Sequence, residues 1–205
     1  MKAKTAVALL LQTTVTQALD LAYDEAYYAP RPKLYLAQDI YLTFEVVQGS
    51  EEFFLEVHMP KDHWLALSFG GSHMNTDMIV FDTHSGYDAA VLDMYSDEFG
   101  EPKLDTTLLD AGDIEVIEIV PDTSAPLIKF SIRRDFDTGD GEKDFVLGFD
   151  QVIRMGFAIR NEVAEERNEE TGKIETFGMH DRHGYFDMIL GSDERTSYWG
   201  MYAGA

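Results

Sequence analysis

Ile40, Leu42, Phe44 and Val46 alternate with Asp39, Tyr41, Thr43 and Glu45. A period of two places the first set on one face of an extended chain and the second on the other, the pattern of a half-buried strand. Phe53, Leu55 and Val57 repeat it against Glu52, Phe54 and Glu56. The clearest case is Ile128, Phe130 and Ile132, which alternate with Lys129, Ser131 and Arg133. Gly49-Ser50 between the first two runs predicts a hairpin connection.

Further strands are expected at Trp64–Phe69, Asp77–Phe81, Ala89–Tyr95, Ile114–Val120, Leu127–Arg133, Phe145–Phe149, Val152–Ile159 and Tyr185–Leu190. Residues 19–34, rich in Tyr and Pro, read as an irregular lead-in. No comparably long segment carries a helical period with good caps. Many short strands divided by turn residues predict an all-β chain, folded as a single antiparallel β-sandwich domain.

Bulk properties narrow the function. The 205 residues hold 45% hydrophobic and 12% aromatic side chains, enough for one substantial core. A formal net charge of -22 opposes binding to nucleic acid or anionic membranes and favours a basic partner. There are no cysteines, which removes disulfides, thiolate metal sites and a cysteine nucleophile. Lys2 and Lys4, the apolar run Ala6–Leu11 and the small-residue site Thr16-Gln17-Ala18 read as a secretory signal over residues 1–18, leaving 19–205 as the mature domain. Cleavage after Ala18 removes two lysines and no acids, taking the charge from -22 to -24. No later segment has the roughly 18–20 apolar residues that a membrane-spanning helix needs, so the mature chain is expected to be secreted and extracellular or at the cell surface.

Two polar stretches interrupt the strands. Asn161–Gly178, with Glu162, Glu165, Glu166, Glu169 and Glu170, reads as a solvated loop or short helix. The run from Asp135 to Asp144 looks like a calcium loop, but Gly139 and Asp140 stand where the fifth-position ligand and sixth-position glycine belong. It reads better as a turn with its acids in water.

Enzymatic signatures are weak. No Gly-x-Ser-x-Gly elbow is present, nor a His-x-His or His-Glu-x-x-His motif. With 38 acids, a chance carboxylate pair carries no weight. His180 and His183 are three apart, which places them on opposite faces of a strand and argues against a shared zinc ion.

The stretch Phe69-Gly70-Gly71-Ser72-His73-Met74-Asn75-Thr76-Asp77 joins two apolar runs through a glycine pair and carries a thioether and an imidazole at the turn. A haem site needs axial ligands on facing elements and an apolar slot. Met74, at that turn, and His180, before the last predicted strand, lie on loops that can converge at one end of a sandwich. On pattern alone the ordinary reading stands: methionines fill cores and loop histidines face water.

Three segments in order resemble the DOMON domain family. They are Trp64–Val80, with its apolar strand, Gly70-Gly71, Met74 and Asp77; Arg134-Asp135-Phe136-Asp137-Thr138-Gly139-Asp140, followed by Asp144; and Met179-His180-Asp181-Arg182-His183-Gly184-Tyr185-Phe186. The resemblance implies an immunoglobulin-like antiparallel β-sandwich with a ligand pocket. The chain is similar to haem-binding members such as the cytochrome domain of cellobiose dehydrogenase. By position, Met74 then matches the axial methionine and His180 the axial histidine of a haem b iron. One extra residue precedes Met74 here, which leaves His73 as an alternative ligand. The expected function is a secreted b-type cytochrome that transfers electrons to a basic redox partner without catalysing turnover itself. The alternatives are a non-catalytic module for carbohydrate or another extracellular ligand, and a structural subunit of an extracellular assembly that packs through Tyr198, Trp199 and Tyr202.

Overall fold

The computed structural model describes residues 33–46, 50–70, 75–83, 90–98, 102–104, 114–139, 143–161, 166–167, 174–176, 178–191 and 198–201. His73, Met74, Tyr202 and the predicted signal segment lie outside them. The described strands are β1 (Leu34–Ala37), β2 (Ile40–Val46), β3 (Glu52–Met59), β4 (Trp64–Phe69), β5 (Thr76–Asp82), β6 (Ala90–Ser96), β7 (Lys103–Leu104), β8 (Ile114–Pro121), β9 (Ile128–Asp135), β10 (Val152–Arg160), β11 (Glu166–Arg167), β12 (Ile174–Thr176), β13 (Arg182–Ile189) and β14 (Tyr198–Met201). No helix occurs among the described residues, and so none long and apolar enough to cross a membrane.

Every strand pairing is antiparallel. One sheet has the order β1-β2-β3-β9-β8 and the other β14-β13-β10-β4-β5-β6-β7, while β11 and β12 form a separate two-stranded ladder. The two large sheets pack as the expected immunoglobulin-like sandwich. Leu42, Leu55 and Ile132 from the first sheet meet Leu67, Ile79 and Ile159 from the second in one core. Phe81 of β5 meets Phe130 of β9 edge-on with ring centres 5.3 Å apart, and Phe53 of β3 meets Phe69 of β4 at 6.3 Å. Burying each such side chain contributes about 1.5–3 kcal/mol, and the edge-to-face geometry fixes how the sheets register.

Three departures from the sequence expectation have physical causes. Phe145–Phe149 is not a strand. The Phe145 N–H donates to the Asp77 carboxylate, its carbonyl accepts from Arg134, and the Leu147 N–H reaches the Phe136 carbonyl, so other groups satisfy the backbone in place of a ladder. Within Asn161–Gly178, Glu166–Arg167 and Ile174–Thr176 pair as the β11–β12 ladder, and no described residue is helical. Leu34–Ala37, an unexpected strand that starts on the last residue of the 19–34 lead-in, pairs with β2 as an edge strand.

The seven-stranded sheet also buries apolar side chains on the face turned away from the core. Met78, Val80 and Met94 form a second cluster there, with Ala66, Leu92 and Leu104 packed against it. That second face carries the site.

Candidate functional site

Register across four strands defines a shelf on this outer face. Ser68 of β4 lies opposite Met78 of β5 and Gly156 of β10, and Gly156 lies opposite Tyr185 of β13. One row along, Ala66 lies opposite Val80 and Ala158, and Ala158 lies opposite His183. Small residues therefore occupy β4 and β10, while larger ones rise from β5 on one side and β13 on the other. The result is a cavity of about 300 Å³ whose lining includes Ser68, Met78, Gly156, His180, His183 and Tyr185. Its floor is set by Gly156, where an added Cβ would lie 2.4 Å from Ser68 Oγ.

The segment before β13 brings His180 into this cavity. The Asp181 N–H donates to the Ile159 carbonyl at 2.9 Å, and the Asn161 N–H donates to the Asp181 carboxylate at 2.8 Å. Arg160 Nη1 donates to the Met179 carbonyl at 2.5 Å. A side chain at Gly178 would put its Cβ 2.1 Å from that guanidinium, so glycine is what lets the chain pass so close. These bonds fold the chain back before the strand begins at Arg182. His180 consequently escapes the alternation rule of a strand, and its ring centre lies 4.6 Å from that of His183. The expectation that the two imidazoles point apart is overturned.

At the other end of β4, Phe69 pairs with Met155, and the Gly70 N–H donates to the Arg154 carbonyl at 2.8 Å. Gly70 has φ 88 and Asn75 has φ 48, both left-handed, as a sharp reversal between strands requires. His73 and Met74 join these two residues. Met74, and with it the expected convergence with His180, lies outside the described residues. The chain leaves β4 at Phe69 toward Gly70, and the His180 segment is pinned at the opposite end of that strand, where Trp64 pairs with Arg160. Five residue steps of about 3.3–3.4 Å put those ends roughly 17 Å apart, with the cavity floor between them.

A buried polar cluster gathers around Asp77 and Gly70. Arg134 Nη2 donates to Asp77 Oδ2 at 2.6 Å, and both side chains are almost wholly buried. The same Asp77 oxygen accepts the Phe145 N–H at 3.0 Å. The Phe145 ring stacks on Phe69 and touches the site of a Cβ at Gly70, and the Arg134 guanidinium lies 4.8 Å over the Phe69 ring. Thr138 Oγ1 donates to Asp144, whose carboxylate is 3.9 Å from Arg134. In the stretch that looked like a failed calcium loop, Thr138 and Asp144 thus gather by Arg134, and the Asp144 carboxylate is buried, not in water. Neither the Arg134–Asp77 contact nor the roles of Met78, His183 and Gly156 was read from the sequence. The spacings Ala66-x-Ser68 and Gly156-x-Ala158, small residues at every second position, were the available signal.

Residues 36–160 match the family model of the DOMON domain. The chain belongs to the DOMON domain family. The match takes in the Gly70–Asp77 connection and the arginine turn, and it ends before His180. β13 nevertheless lies directly beside the last matched strand, β10. Among solved structures, this DOMON domain is similar to the crystal structure of the cytochrome b domain of pyranose dehydrogenase from Coprinopsis cinerea. The likeness has a TM-score of 0.58 at 11% identity and covers 80% of this chain and 84% of the other. At that identity the comparison establishes a shared fold. No curated protein matches the chain in sequence.

Proposed function

We propose that this DOMON domain binds haem b in the cavity on its seven-stranded sheet and transfers electrons, with His180 and Met74 as the axial ligands and His73 as the alternative to Met74. The observation that carries this reading is the position of His180 at the wall of an open cavity with a small-residue floor. The residues suit the group chemically. His180 places an imidazole at the cavity, the small-residue floor keeps it open, and Met78, packed against Val80 and Met94, gives it an apolar side wall. Held between a thioether and an imidazole, haem iron supplies a one-electron couple of raised potential. The similarity to a cytochrome b domain supports the same reading.

The chain's own part is to orient the ligands, exclude water along the apolar wall and present an acidic surface to a basic redox partner. In this reading residues 1–18 are a cleaved signal, the domain works outside the cell, and it carries electrons without turning over a substrate. The test is the visible spectrum after haem reconstitution. A sharp Soret band that is altered in Met74→Ala and in His180→Ala is expected; no band, or one unchanged in both variants, refutes the assignment.

A second reading rests on Tyr185, which is half-exposed beside two imidazoles at the cavity. An aromatic face next to hydrogen-bonding rings also suits a sugar. It predicts binding on a glycan panel by protein that takes up no pigment. Assembly through the terminal segment is the third, and β14 is indeed an edge strand, the kind of element through which subunits pair. An elution volume that shifts with protein concentration would support it.

A further inference from the structure

The same cavity wall holds two imidazoles close enough to act together, and we infer that His180 and His183 form a chelating site for a nitrogen-preferring divalent ion, copper(II) above all. This inference is independent of the haem reading.

The argument is geometric. With metal–nitrogen bonds of about 2.1 Å, each ring centre sits roughly 3.2 Å from a shared ion. Two centres 4.6 Å apart then subtend about 90° at the metal, the angle between adjacent positions of the tetragonal arrangement that copper(II) and nickel(II) prefer. The rings are tilted by 49°, so they are not locked in a parallel stack that would hold their nitrogens apart. Both line the cavity, which leaves room for water in the remaining positions.

The surroundings favour a nitrogen-bound ion over a hard one. Asp181, next to His180 in the chain, accepts the Asn161 N–H, and Asp187 farther along β13 accepts from Arg154 Nε at 3.1 Å. Calcium and magnesium need several oxygen ligands, which this wall does not assemble. No group of three or more His, Cys, Asp or Glu side chains converges on a metal position among the described residues. The Met78 thioether cannot join the pair. Its strand is separated from β13 by β4 and β10, three spacings of about 4.8 Å, or roughly 14 Å between backbones. The site is therefore a two-imidazole chelate completed by water. Because it uses His180, the ion and any ligand that takes His180 exclude one another.

The experiment is a titration of the metal-free, haem-free full chain with copper(II) alone, followed by calorimetry and by electron paramagnetic resonance. One equivalent is expected to bind with nitrogen hyperfine structure from two imidazoles, more tightly than zinc, and to resist an excess of calcium. His180→Ala and His183→Ala are each expected to weaken binding at least roughly tenfold, since removing even an outer partner of a ligand costs that much. His63→Ala serves as the control, because that histidine bonds the Lys61 carbonyl elsewhere on the chain. Circular dichroism of each variant confirms the fold, and His183→Gln provides a second substitution at the more exposed position. Copper affinity unchanged in His183→Ala and His183→Gln, or copper displaced by calcium, overturns the inference.

Discussion

Arg134 of β9 and Asp77 of β5 form a buried ion pair at 2.6 Å that ties one sheet of the sandwich to the other. Both residues sit where a strand meets a turn: Asp77 follows the Gly70–Asn75 connection, and Arg134 precedes the Thr138-Gly139 turn. Their pairing thus fixes the two sheets and the start of β5 in one stroke.

Arg134→Met should be severely destabilising. The Asp77 carboxylate would stay buried without its cation, which costs about 3–5 kcal/mol. Asp77→Asn should cost less, because an amide oxygen can still accept the Phe145 N–H. Urea unfolding of both variants measures this, and a loss under about 1 kcal/mol for Arg134→Met would show that the pair is dispensable.

The cavity floor predicts an epistatic pair. Gly156→Ala drives a Cβ toward Ser68 Oγ at 2.4 Å, and overpacking of this kind costs about 1–3 kcal/mol. Adding Ser68→Gly removes the obstructing hydroxymethyl group and should restore part of that loss. If the double variant is no more stable than the sum of the singles, the two side chains do not compete for one space.

Gly70→Ala tests the turn separately from packing. The nearest side-chain atoms to an added Cβ are 3.8 Å away, so space is not limiting, but φ is 88. The expected cost is about 1–2 kcal/mol from the left-handed backbone alone. Thermal unfolding of Gly70→Ala beside Gly70→Asn separates the two effects, since Asn tolerates this region better; equal melting points for the wild type and both variants would contradict it.

Asp122 links the fold to pH. Its carboxylate accepts the Ser124 hydroxyl and N–H and the His58 Nδ1–H, and these bonds hold its pKa well below the ordinary 3.8. A depressed carboxylate pKa contributes stability that is present above the unfolded value and lost as the pH falls through the folded one. Wild type should therefore lose stability more steeply below pH 3.8 than Asp122→Asn does. Parallel acid-denaturation curves for the two proteins would count against this.

If the acidic surface steers a basic redox partner, association should slow as salt rises, because screening shortens the reach of the attraction to about 8–10 Å at 0.10–0.15 M. Stopped-flow rates across a salt series would reveal it. A flat profile would remove electrostatic steering from the account.

By itself, the sequence determined that this is a sandwich. Alternation at Ile40–Val46, Phe53–Val57 and Ile128–Ile132 depends only on neighbours along the chain, and a period of two has one common structural solution. The ordered segments around Trp64, Arg134 and His180 pointed to the DOMON family for the same reason: each is a local pattern. Tertiary structure decided the rest. Asp77 and Arg134 are 57 residues apart, and no local rule foretells that they meet. Phe145–Phe149 looked like a strand because it is apolar and Leu147 is a core residue, yet the Asp77 and Arg134 side chains and the Phe136 carbonyl take its backbone bonds. His180 and His183 came together because a fold-back at Asp181 ends the alternation one residue too soon for the strand rule to apply. The cavity itself exists only where Ala66, Ser68, Gly156 and Ala158 are laid side by side, and strand register does that.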